Sequence, residues 1–104
     1  MDGTPPYDGG ADGRDERRVS LSFEVKLRLS GDKPVSTRLR DLSTTGFRTE
    51  FVSHLHVGDR VWLSLPGLAP LAAGVTWSDG VVTGCRFETP LHVAVFERIA
   101  ASGG

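Results

Sequence analysis

The sequence predicts an all-β fold, a six-stranded antiparallel β-barrel with a short C-terminal α-helix, and three observations carry that prediction. Apolar and polar residues alternate with period two along six short stretches. Clusters of Gly, Pro, Asp and Ser separate those stretches at hairpin spacing. Only the segment after Pro90 places apolar residues at helical spacing. At 104 residues the chain has room for one compact core. A flexible N-terminal tail is expected over residues 1–13 and a single domain over residues 14–104.

The tail expectation rests on composition. Residues 1–13 hold Pro5, Pro6, four glycines and Asp2, Asp8 and Asp12, a mixture that buries too little apolar area to offset the entropy of ordering. From Val19 the pattern changes: Val19, Leu21, Phe23, Val25, Leu27 and Leu29 alternate with polar residues, the signature of a long half-buried strand. Ser30 to Pro34 supply a turn, and Val35, Thr37 and Leu39 resume the alternation to complete a hairpin. Asp41-Leu42-Ser43-Thr44-Thr45-Gly46 interrupts it as a polar loop, after which Phe47, Thr49 and Phe51 make a third strand. A connector from His54 ends in a Gly58-Asp59 turn. Val61, Leu63 and Leu65 form a fourth strand before Pro66-Gly67, and a fifth runs from about Leu71 to Trp77. Ser78-Asp79-Gly80 turns the chain into a sixth strand, Val81 to Phe87. Pro90 then precedes a helix in which Leu91, Val95 and Ile99 share a face. Such a helix suits an open end or edge of a small barrel or sandwich.

Charge and composition exclude several function classes. A net charge of -1 and a pI near 6.3 give no global field for nucleic acid or an anionic membrane, so an anionic ligand needs a local cationic cluster. The sequence shows no apolar leader and no stretch long enough to span a membrane, which predicts a cytoplasmic protein without membrane insertion. A single cysteine, Cys85, makes no internal disulfide and no Cys-built metal site, and it is expected to be buried and inert. His54 and His56 lack companions for a metal site and are expected in a solvated loop. No phosphate-binding loop, nucleophile elbow or zinc signature appears, so neither an enzyme nor a resident cofactor is expected.

Two constellations carry chemistry. Arg14, Arg17 and Arg18 flank Asp15 and Glu16 at the junction between tail and first strand. Arg14 and Arg18, four residues apart, share a face in a helix and also in an extended chain, where they stand about 13 Å apart. Guanidinium groups suit a guanine nucleotide because they fork onto O6 and N7, bind phosphate and stack on the base. The plainer reading is a solvated junction whose acids neutralise its arginines. The second constellation is the Asp41 loop. A carboxylate accepts both donors of guanine's N1 and N2 edge, Ser43 adds a hydroxyl, and Gly46 permits positive φ or a close backbone approach. Here the plainer reading is turn geometry. Trp77 shares strand parity with Ala73 and Val75, which points to a core aromatic at the strand end; stacking on a ligand is its functional alternative. Trp62 has the opposite parity to its neighbours and, if exposed, would mark a partner surface.

Together, Arg14 and Arg18 followed by Asp41, Ser43 and Gly46 resemble the PilZ family, whose signature is RxxxR and then [D/N]xSxxG. The resemblance extends through Gly58, the strand Ala73-Gly74-Val75-Thr76-Trp77 and the closing strand Gly84-Cys85-Arg86-Phe87. It implies a six-stranded β-barrel receptor for bacterial cyclic di-GMP, often bound as an intercalated dimer. By the same resemblance Arg14 and Arg18, with Arg17 assisting, grip guanine edges and phosphates. Asp41, Ser43 and Gly46 then hold another guanine face, and Trp77 lies near the ligand. The expected partners are cyclic di-GMP and an unidentified protein effector, with the Arg14 to Arg18 segment folding onto the barrel when ligand binds. The rival is a PilZ-fold adaptor that captures a protein without nucleotide; a nucleic-acid-binding barrel is disfavoured by the pI.

Overall fold

The computed structural model describes residues 18–103; the expected tail and the candidate residues Arg14 and Arg17 lie outside the described residues. Six strands form one closed antiparallel barrel: β1 (Val19–Leu29), β2 (Val35–Leu42), β3 (Gly46–Glu50), β4 (Arg60–Ser64), β5 (Leu71–Ser78) and β6 (Val82–Phe87), followed by α1 (Val93–Gly103). Around the barrel the order is β1-β2-β3-β6-β5-β4, and β4 closes back onto β1. The barrel and helix match the predicted fold; because the barrel is closed, of the two places expected for the helix, an open end or a sheet edge, no free edge is left for it to cover.

Alternation decides what lies inside. Leu27, Leu39, Leu42, Phe47, Val61 and Leu63 are fully buried, and Phe47 meets Phe87 with ring centroids 5.3 Å apart. The helix packs against β1 and adds Phe96 and Ile99 to this core, with Leu91 buried just ahead of its first turn. His92 caps that turn, its Nδ1 accepting the Ala94 amide at 3.0 Å. Two expectations change. β3 stops at Glu50, so Phe51 does not continue the alternation; it is exposed, and its amide donates to the Val81 carbonyl instead. β2 runs on through Leu42, which brings Asp41 into a strand and not into the loop.

The ladders are irregular at two places that matter for function. Between Leu39 and Asp41, β2 advances two residues while β3 advances one, and between Val75 and Trp77, β5 advances two while β6 advances one. Each is a β-bulge, which reverses the side-chain parity beyond it. Leu42 and Ser78 therefore turn inward, and Asp41 and Trp77 turn out.

Candidate functional site

Asp41 pairs with Arg48 across the β2–β3 ladder. Arg48 sits between the buried residues Phe47 and Thr49, so it projects from the outer wall, and the bulge puts Asp41 on that same wall. Two arginines cover the carboxylate there. Arg18 Nη1 donates to Oδ1 at 2.7 Å, while Arg48 donates to Oδ2 through Nε at 2.6 Å and through Nη2. The Asp41 side chain is left only 7% exposed, against 35% for Arg18 and 42% for Arg48. One negative charge is shared by two guanidiniums, which leaves this cluster cationic.

Ser43 and Gly46 shape the loop beside it. Ser43 is fully buried, and its Oγ accepts the amides of Thr45 and Gly46, each at 3.2 Å, a serine-centred turn that holds the loop against the start of β3. Gly46 has no positive φ. Its requirement is the close approach: a Cβ there would run into the Cys85 carbonyl oxygen of β6. The loop is pinned from the other side as well, since the Phe87 amide donates to the Thr45 carbonyl at 2.8 Å and the Leu91 amide to the Thr44 carbonyl at 2.7 Å.

Trp77 is not a core residue. Strand parity alone aligns it with Val75, but the bulge turns it outward, where it is 39% exposed and lies over Gly84 of β6. Gly84 is in register with both Trp77 and Arg48, so one row crosses the outer wall through four strands: Asp41, Arg48, Gly84, Trp77. The next row sets Arg86 between Gly46 and Gly74. Arg18, Thr45, Gly46, Arg48, Trp77 and Arg86 line a cleft of about 510 Å³ over these rows. That volume lies within the roughly 300–1,000 Å³ of small-molecule sites. Glycine forms its floor, arginine its walls and an indole one end.

Of the sequence candidates, the structure brings Arg18, Gly46 and Trp77 to this cleft, holds Asp41 beside it under Arg18 and Arg48, and buries Ser43 within the adjoining loop. Sequence patterning does not single out Arg48 and Arg86 as site residues. Their signal is an arginine at the outward position of a short strand, beside glycines that leave it room.

Other candidates fall elsewhere. Trp62 does face outward, but it is covered: the guanidinium carbons of Arg60 and Arg28 lie 4.8 and 5.1 Å from its ring centre. Arg60 is held in turn by Glu88, its Nε donating to Oε2 at 2.5 Å and its Nη2 to Oε1 at 2.8 Å. That pair raises the Arg60 pKa and lowers that of Glu88. His54 and His56 are exposed, and no cluster of three or more metal-ligating side chains occurs among the described residues. Cys85 is buried, and burial pushes its thiol up to about 12. No helix among the described residues is long and apolar enough to cross a membrane.

Comparison with known proteins bears on the fold and the family. In fold, the chain is similar to the Bacillus subtilis inhibitor of motility (MotI/DgrA), with a TM-score of 0.58 and 13% identity. The match covers 86% of this chain and 48% of that one, so the present chain spans about half its length. No curated protein matches by sequence. The PilZ domain model matches residues 12–102, from before the arginine segment to the last turn of the helix. By that match, and by the closed barrel that supports it, the chain belongs to the PilZ domain family.

Proposed function

We propose that this chain is a bacterial, cytoplasmic receptor for cyclic di-GMP that changes its displayed surface on binding and signals to a protein partner. The observation that carries this reading is the row Asp41, Arg48, Gly84 and Trp77, with Arg18 over its first member. It supplies what a guanine dinucleotide requires. The Asp41 carboxylate, with about four lone-pair sites, is an acceptor for the N1 and N2 edge of guanine. Trp77 offers an aromatic face for a base, and arginines offer forks for O6, N7 and phosphate. Arg14 and Arg17, belonging to the same arginine segment as Arg18, complete the grip from outside the described residues. Asp41, the residue that anchors Arg18, is also the one that meets the ligand, so binding changes where the segment before β1 is held. A switch of this kind transmits occupancy without any catalytic step.

The rival reading, a nucleotide-independent adaptor, draws on the same carboxylate: in this state both Asp41 oxygens already accept from arginines. Isothermal titration with cyclic di-GMP, with GTP and cyclic GMP as controls, separates the two. Saturable and selective heat supports the receptor, and its stoichiometry counts the nucleotides. Absence of heat with an unchanged melting temperature supports the adaptor.

A further inference from the structure

We propose that Arg86, which belongs to neither sequence motif, is a phosphate anchor of the ligand site; the inference rests on the cyclic di-GMP reading above. Arg86 stands on the outer wall of β6 between the buried residues Cys85 and Phe87. Its cross-strand neighbours are Gly46 on β3 and Gly74 on β5, so no side chain flanks it in its own row. An approaching group therefore meets the guanidinium from either side.

The charge layout distinguishes Arg86 from the other arginines of the cleft. Arg18 and Arg48 both donate to Asp41. β6 itself carries no acid; the nearest one along the chain is Glu88, just past the end of the strand, and both oxygens of Glu88 are taken by Arg60. Among the described residues no carboxylate is paired with Arg86. Its charge faces a cleft of about 510 Å³ that Arg18 and Arg48 also line, a local cationic field in a chain whose net charge is -1. A phosphodiester fits that vacancy: it is anionic, carries two free oxygens and matches the planar fork of arginine. With Asp41 and Trp77 at opposite ends of the adjacent row, a base on either of them leaves its sugar-phosphate over the glycine floor in front of Arg86.

The test is titration of the parent protein, Arg86→Ala and Arg86→Lys with cyclic di-GMP at low and high salt. Arg86→Ala is expected to weaken binding at least tenfold and to flatten the salt dependence, because one charge–charge contact is gone. Arg86→Lys is expected to keep the salt dependence and recover part of the affinity. A merely structural role for Arg86 would not move the salt dependence, and melting curves check that each variant is folded. If the parent binds and Arg86→Ala binds equally well with the same salt dependence, the anchor assignment is overturned and the receptor reading stands. If the folded parent does not bind cyclic di-GMP, both fail together.

Discussion

Trp77 lies across Gly84, so close that a methyl group on the glycine would meet the indole nitrogen. The contact exists because a bulge in β5 reverses the parity of Trp77, and a second bulge, in β2, reverses that of Asp41. Both polar or aromatic groups leave the barrel wall in the same row, one at each end. Without the bulges the same alternation would bury a carboxylate and an indole in the core, and the outer wall would carry neither. The two irregularities thus convert a regular barrel surface into a cleft.

Substituting alanine at the two close-approach glycines is expected to separate fold from site. A Cβ on Gly46 meets the backbone carbonyl of Cys85, which moves only if β3 and β6 separate. Gly46→Ala is expected to cost about 1–3 kcal/mol, read as a lower denaturant midpoint. The atoms nearest to a Cβ on Gly84 all belong to the Trp77 ring, which has open cleft to move into. Gly84→Ala is expected to leave the midpoint within about 0.5 kcal/mol of the parent while shifting Trp77 emission and weakening ligand binding. Equal losses of stability in the two variants would contradict this division.

Much of the barrel is legible in the sequence because its signals are local. Among the described residues the glycines with positive φ, at 31, 58, 67 and 80, all fall in turns that composition marks, and Asp79 shows why such a turn is specific. Its Oδ1 accepts the amides of Val82 and Val81, and those bonds hold the carboxyl below its usual range. The closure of β4 onto β1 and the pairing of β3 with β6 leave no such mark, because ladders between distant strands are set by the packing of the whole core. The site divides in the same way. Asp41, Ser43 and Gly46 are visible as a spaced motif, but the orientation of Trp77 depends on a one-residue bulge that period-two alternation cannot register. Arg48 and Arg86 come to line one cleft only when β6 is placed between β3 and β5.

Asp41 should matter to both stability and binding, by separable amounts. Removing the carboxylate leaves Arg18 and Arg48 without their shared acceptor, but both remain partly wet. The cost of Asp41→Ala is therefore expected near 1–2 kcal/mol, less than the 3–5 kcal/mol of a fully buried pair. Cyclic di-GMP affinity is expected to fall by more than about tenfold, the loss of a charge-assisted contact. Denaturation and titration of the same preparation check both figures. Parent-like affinity in the folded variant would remove Asp41 from the ligand site.

Cys85 supplies a pH signature. Its thiol pKa is raised by burial from 9.0 to about 12, so in the folded state it keeps its proton through a range where the unfolded chain loses it. With more protons bound in the native state, stability falls as pH rises from about 9 towards 12, by at most about 1.4 kcal/mol per pH unit from this group. Cys85→Ala should lose that slope relative to the parent. Native protein at pH 8 should react with a thiol reagent only slowly, and denatured protein at once. Rapid labelling of the native protein would show that the thiol is reachable from the cleft it underlies.

Arg60 should influence the ligand without touching it. It is in register with Gly74, which is in register with Arg86, so the two arginines flank one glycine on the outer wall. Arg60 holds both oxygens of Glu88, which lies two residues past Arg86, just beyond the end of β6, and is exposed like it. The Glu88 amide donates to the Ala72 carbonyl at 2.9 Å, so the chain stays beside β5 for one residue past β6, and residues two apart in an extended chain lie about 7 Å apart. Arg60→Ala therefore frees a carboxylate beside Arg86, and the expected result is a severalfold loss of cyclic di-GMP affinity, greatest at low salt. Arg60→Ala with Glu88→Gln removes the freed charge and should restore parent-like affinity. Glu88→Gln alone should change affinity little, because in the parent that charge is already spent on Arg60. Recovery in the double variant, read by titration at two salt concentrations, is the decisive outcome. If the double variant binds as poorly as Arg60→Ala, then Arg60 acts through its stacking on Trp62 and not through Glu88.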